Sequence, residues 1–87
     1  MKITVTYHAS ARERVGGTER EDVHLHPTDG VQPPATRHLR ALLLERHHAL
    51  KELLPTCALA VNCVYAHDDT VLKDGDEVAV LPPVSGG

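Results

Sequence analysis

The stretch Val78-Ala79-Val80-Leu81-Pro82-Pro83-Val84-Ser85-Gly86-Gly87 decides how the rest of the chain is read. Val78 to Leu81 is apolar throughout and follows the turn-forming Lys73-Asp74-Gly75-Asp76, which is the pattern of a β-strand. Pro82-Pro83 ends it, because proline donates no hydrogen bond to a ladder and biases its predecessor toward extended backbone. From Pro82 to Gly87 the side chains are uncharged and small, and the segment reaches about 20 Å when extended. Gly86 and Gly87 lack Cβ and can pass a slot closed to other residues. An α-carboxylate at Gly87 is ionised at neutral pH, its intrinsic pKa being about 3.5. A frayed terminus is the bland alternative. A strand, a double proline and a diglycine in that order fit better an arm that inserts its carboxylate into another protein's active site. The expected division is a domain over residues 1–81 and a tail over residues 82–87.

Working outward, Lys2 to His8 alternates, with Ile3, Val5 and Tyr7 on one face and Thr4, Thr6 and His8 on the other. Ser10-Ala11-Arg12-Glu13 has the form of a capping box, predicting a short helix from Ala11 to about Val15 that stops at Gly16-Gly17. Glu19 to His26 is a second alternating strand, with Val23 and Leu25 inward. Pro27-Thr28-Asp29-Gly30 reads as a turn, prolonged by Pro33-Pro34. Thr36 is the expected N-cap of a helix over about residues 37–48, whose stripe Leu39, Leu42, Leu43, His47 and Leu50 faces a sheet. A further helical turn over residues 49–54 is expected to end at Pro55. Cys57 to Cys63 reads as a third strand, with Leu59 and Val61 on one face and Ala58 and Ala60 on the other. Asn62 opens a turn into a short return strand at Val64-Tyr65. One helix on one face of a mixed sheet of four to five strands is an α+β layer architecture, suited to a β-grasp.

Eighty-seven residues make one small domain. With no Phe, no Trp and two Tyr, its core must be aliphatic. A net charge of −3 without a Lys/Arg run argues against nucleic acid and anionic membrane as partners. No apolar stretch approaches the roughly 20 residues of a transmembrane helix and no signal-peptide core opens the chain, so a cytoplasmic location is expected. Cys57 and Cys63, if on one extended segment, stand about 20 Å apart, too far for a disulfide. His24 and His26 could form half of a metal site, but no third ligand is placed by the sequence. They and the scattered His38, His47, His48 and His67 read as solvated surface. The carboxylates Asp68, Asp69, Asp74, Asp76 and Glu77 lack EF-hand spacing and read as turn chemistry. No metal site and no catalytic residue is expected.

Pro82-Pro83-Val84-Ser85-Gly86-Gly87 resembles the C-terminus of the small, sulfur-carrier subunits of molybdopterin synthase, a ubiquitin-like family. Ala9-Ser10-Ala11-Arg12-Glu13 and Asp74-Gly75-Asp76-Glu77-Val78 agree with it. The resemblance implies a ubiquitin-like β-grasp and a carrier cycle with no bound cofactor. In that cycle an E1-like adenylyltransferase uses ATP to adenylate Gly87, and a sulfurtransferase supplies persulfide-derived sulfur. The resulting C-terminal thiocarboxylate donates sulfur to a pterin precursor within the large synthase subunit, in an expected heterotetramer. Catalytic residues then belong to the large subunit. Pro82, Pro83, Val84, Ser85 and Gly86 are the inserting tail. The sheet face opposite the helix, with Thr4, Thr6, His8, Ala58, Ala60, Ala79 and Leu81, reads as free of charge on three strands, a mark of interface cores. His8, Ala58, Ala60, Tyr65, Ala79 and Leu81 are accordingly the expected partner interface. His8 stands where the family leads one to expect an aromatic residue.

Two other uses of the same design stay open: a related carrier for thiamin, amino-acid or tRNA thiolation, and a ubiquitin-type modifier joined to lysines. For the latter the chain's own Lys2, Lys51 and Lys73 offer few acceptors. An interaction domain with an accidental diglycine is the third choice.

Overall fold

The computed structural model describes residues 1–26 and 33–83; the expected turn at Pro27-Thr28-Asp29-Gly30 and the tail residues Val84, Ser85, Gly86 and Gly87 lie outside the described residues. Five strands and two α-helices follow in the order β1 (Lys2–Tyr7), α1 (Ala9–Arg14), β2 (Arg20–His24), α2 (Thr36–Arg46), β3 (Ala58–Val61), β4 (Val64–Ala66) and β5 (Glu77–Leu81). They form one sheet in the spatial order β2-β1-β5-β3-β4. The two central strands β1 and β5 are parallel, Val5 opposite Val78 and Tyr7 opposite Val80, and every other pairing is antiparallel. With α2 covering one face, this is a β-grasp. The alternation read from the sequence is realised: Ile3, Val5, Tyr7, Val23, Leu59, Val78 and Val80 are buried together with Leu39 and Leu43 of α2. Leu25 continues β2 inward; its N–H donates to the Met1 carbonyl at 2.9 Å, and the Met1 amino group donates to its carbonyl at 2.9 Å.

The helix starts differ from expectation. Ser10 does not cap α1. Ala9 takes φ 50°, turning the chain so early that His8 becomes the N-cap, its carbonyl accepting from Ala11 at 3.0 Å and Arg12 at 3.4 Å. The stop at Gly16-Gly17 is a Schellman motif: Gly17 N–H donates to Arg12 O at 2.8 Å and Gly16 N–H to Glu13 O at 3.1 Å, with Gly16 at φ 77°. Thr36 is not the N-cap of α2 but its first helical residue. Its hydroxyl donates instead to the His67 carbonyl, while His38 Nδ1 reaches back to the N–H of Ala35, the actual cap, at 2.9 Å. The helix ends at Arg46, two residues early, because His47 turns out of helical geometry toward β2. The turn expected over 49–54 is two 3₁₀ turns, His48–Leu50 and Leu54–Thr56, and Pro55 lies within the second rather than after it. β3 is shorter than expected, since Asn62 and Cys63, at φ 49° and 71°, form the two-residue hairpin turn to β4.

Two polar side chains hold the layers together, Glu21 and Arg40, the second of which the charge pattern assigns to the wet flank of the helix. Glu21 of β2 points to the helix side, where Tyr7 Oη donates to its Oε2 at 2.8 Å and His47 Nε2 lies 2.6 Å from the same oxygen. Arg46 stands 3.4 Å from Oε1. Burial, then the hydrogen bond and charge of Glu21, push the Tyr7 phenol far up. So His47, and His38 at the helix start, are structural rather than solvated. Arg40 ties α2 to the approach to β3, donating to Leu54 O at 2.8 Å and Cys57 O at 2.9 Å, with Asp68 3.3 Å from its Nε. Arg40→Ala leaves both carbonyls without this donor and is expected to cost about 2 kcal/mol. Urea unfolding checks this; an unchanged midpoint would rule out the tie.

Candidate functional site

The sheet face opposite α2 is organised by register. One level runs across all five strands as Arg20, Thr6, Ala79, Ala60 and Tyr65. The next level toward the tail pairs Leu81 with Ala58, and β1 reaches it with His8, one residue beyond the Tyr7–Val80 pair. His8 Nε2 lies 3.1 Å from Thr6 Oγ1, so the imidazole lies against the open face. Ala60 is buried there because its methyl is the floor between two flanking strands, whereas Tyr65, on edge strand β4, is 75% exposed. Pro82 is half-buried and Pro83 exposed. The chain therefore leaves the sheet beside His8, Leu81 and Ala58, and all six expected interface residues share one face.

The expectation that this face bears no charge on three strands is corrected. Glu77 opens β5 and shares the side of Ala79 and Leu81, and Lys2 shares the side of Thr4. Across β2 the same face adds Arg20 and Asp22. Glu77 is not part of a turn but the first residue of β5, and its backbone N–H donates to Asn62 Oδ1 at 3.0 Å. The charges gather along the border, at the end remote from the tail and on edge strand β2: Arg20, level with Thr6, pairs with Glu77 at 3.2 Å, Thr4 Oγ1 donates to Asp22 at 2.8 Å, and Asn62 Nδ2 donates to Asp76 at 2.9 Å. Inside the Arg20 edge, the part nearest the tail, with Thr6, His8, Ala58, Ala60, Tyr65, Ala79 and Leu81, has no carboxylate, lysine or arginine among the described residues. An uncharged centre beside a charged border is the anatomy of a protein interface.

Cys57 is buried, and burial pushes its thiol up, which weakens it as a nucleophile, while Cys63 is exposed at the β3–β4 turn. Among the described residues no three His, Cys, Asp or Glu side chains converge as a metal would require, and no helix is long and apolar enough to cross a membrane. The arrangement can present the chain that leaves β5 and a docking surface.

Comparison with known proteins agrees with that geometry. The model of the ThiS family matches residues 5–87. A molybdopterin synthase sulfur carrier subunit of Chlamydomonas reinhardtii is 42% identical over the whole of both chains. Among solved structures, a Pyrococcus furiosus protein assigned as molybdopterin converting factor, subunit 1, is 32% identical, with a TM-score of 0.82 over 97% of this chain and 99% of its own. A chain from the Helicobacter pylori complex of subunits 1 and 2 of molybdopterin-converting factor is 31% identical, with a TM-score of 0.69 over all of both chains.

Proposed function

Because the chain belongs to the ThiS family, we propose that it is the sulfur carrier of a molybdopterin synthase, with Gly87 as the residue that bears the sulfur. The observation that supports this best is the exit of the chain from the central strand β5 beside the uncharged centre of the open face. A partner that covers His8, Ala58, Ala60, Tyr65, Ala79 and Leu81 has the base of the tail at its edge. Pro82 and Pro83 restrict the arm's direction, Val84 and Ser85 extend it, and Gly86 keeps its end slim.

The carrier supplies no catalytic group. A carboxylate is a poor electrophile, so an E1-like adenylyltransferase joins the Gly87 carboxylate to AMP, with pyrophosphate leaving from ATP. The terminal sulfur of a sulfurtransferase persulfide then forms the C–S bond as the bond to AMP breaks. A second thiol cleaves the S–S bond of the resulting acyl disulfide, being itself oxidised to a disulfide as the thiocarboxylate is released. The thiocarboxylate delivers this sulfur to the pterin precursor in the large subunit, whose residues do the chemistry, in a heterotetramer. The H. pylori relative, a complex of subunits 1 and 2, supports that pairing. The cycle requires no bound cofactor on this chain and is placed in the cytoplasm.

Leu81→Glu tests the docking face. Leu81 is only half-buried, so stability should change by about 0.5 kcal/mol or less. A charge desolvated at an interface core without a partner costs far more. Calorimetric titration should therefore show weakened binding of both the large subunit and the adenylyltransferase. Normal binding of both by the folded variant would mean that the tail is presented from another surface.

A further inference from the structure

Among the described residues, three other than glycine have left-handed backbones: Ala9 at φ 50°, Asn62 at φ 49° and Cys63 at φ 71°. Asn62 and Cys63 form the two-residue turn of the β3–β4 hairpin, where that geometry is required. Asparagine visits it readily, and the Asn62 side chain is held by Asp76 and by the backbone of Glu77. Neither reason applies to Ala9. Its side chain makes no hydrogen bond, glycine would take the same φ without a clash, and its methyl is exposed, so packing within this chain gains little from it. It stands between His8 of the docking face and the body of α1. We propose that Ala9 is a positioning residue for docking: its left-handed backbone, confined by the methyl, is the joint that holds His8 and α1 in the orientation the large synthase subunit binds.

This rests on the docking surface proposed above and identifies what fixes one corner of it. Tyr7 is held from both sides, its N–H donating to Glu19 O at 2.9 Å and Val80 lying opposite it on β5. Ala11 is fully buried. Between these anchors the chain turns from strand to helix, and His8 stays extended at φ −125°, so Ala9 makes the turn. α1 is otherwise lightly secured: it is six residues long, has no side-chain cap, and buries only Ala11. Helices that short do not hold themselves. Arg12 reaches back across the joint, its Nε donating to the Tyr7 carbonyl at 3.2 Å. A Cβ at residue 9 confines the backbone to a few wells, whereas glycine opens nearly the whole range of φ. The chain thus loses some stability at Ala9 and gains a fixed orientation, because a joint already set is not ordered anew when a partner binds. Strained backbone of this kind is a recurrent device of pre-organised sites.

Ala9→Gly in the full chain is the test, because stability and docking should move in opposite directions. Relief of the left-handed backbone should raise Tm by about 5 °C. Freedom at the joint should weaken the calorimetric Kd for the large subunit about threefold. It should also speed amide exchange at Ala11 and Arg12, whose N–H groups donate to the His8 carbonyl. Ala9→Asn keeps a Cβ and still accepts left-handed backbone, so it should raise Tm and bind as the wild type does. Cys63→Gly relieves the same kind of backbone at the hairpin turn, at the far end of β5 from Leu81, and should raise Tm with Kd unchanged. Wild-type affinity for Ala9→Gly would overturn the proposal. So would a fall in both its Tm and its affinity, which marks a merely structural residue, or equal weakening in Ala9→Asn. Leu81→Glu separates the two levels. If it binds normally, the docking surface itself is wrong. If it fails to bind while Ala9→Gly binds like wild type, only the role of Ala9 is.

Discussion

Removal of Gly87 is expected to abolish sulfur transfer while leaving the domain folded and its docking intact. The tail is a measured arm: six residues from Pro82 reach about 20 Å at most, and shortening it by one withdraws the reacting carbon by about 3.5 Å. Reaction geometry tolerates far less, since a displacement of about 1 Å can cost a hundredfold. Gly86→Val tests slimness rather than length. It should still bind the large subunit but transfer poorly, because two branched methyls occupy what glycine leaves empty. Both are read in a reconstituted synthase by product formation, with the carrier's intact mass reporting exchange of oxygen for sulfur. Full turnover with Gly87 deleted would dispose of the carrier mechanism. Wild-type kinetics for Gly86→Val would dispose of the slot.

The second large effect is on the fold. Val80 and Leu81 are neighbours on β5 with opposite fates. Val80 is fully buried, opposite Tyr7 on one side and Leu59 on the other, whereas Leu81 faces the open side. Val80→Glu places a carboxylate among apolar side chains with nothing to pair it. Such a change belongs to the class that costs more than about 4 kcal/mol. A small domain holds only about 5–15 kcal/mol in all, so the variant should be largely unfolded, by circular dichroism, where Leu81→Glu is not. A cooperative melt of Val80→Glu near that of wild type would reverse the assignment of the two faces.

What could be read from the chain beforehand divides along physical lines. Strand faces were legible because side chains alternate strictly, so Ile3, Val5, Tyr7, Val78 and Val80 declare one side whatever their neighbours are. The glycine stop of α1 was legible because a Schellman turn demands positive φ. Helix starts were not. Ser10 and Thr36 have the right chemistry, but Ala9 adopts a conformation unusual for a residue with a Cβ, and Thr36 finds a carbonyl in the loop between β4 and β5. Glu21 was obscured for a different reason. Its inward parity was visible, yet its use depends on Tyr7 and His47, 14 and 26 residues away in sequence. The open face was legible only in its tail-side half, because Glu77 looks like part of a turn until β5 is seen to begin with it. The chemistry proposed for the tip is supported by the composition and order of residues 84–87 and by the family match, which spans residues 5–87.

The place of β5 has a mechanical consequence. It is the third strand of five, flanked by β1 in parallel and β3 in antiparallel. A partner that tugs on Pro82 loads β5 along its own axis, so the hydrogen bonds of both ladders must shear together before the strand can slide. A tail hung from an edge strand would peel away one bond at a time. The sheet thus acts as a fixed mooring: tension on the arm is borne by the middle of the fold and can be spent on holding the tip in place, not on unravelling the domain that carries it.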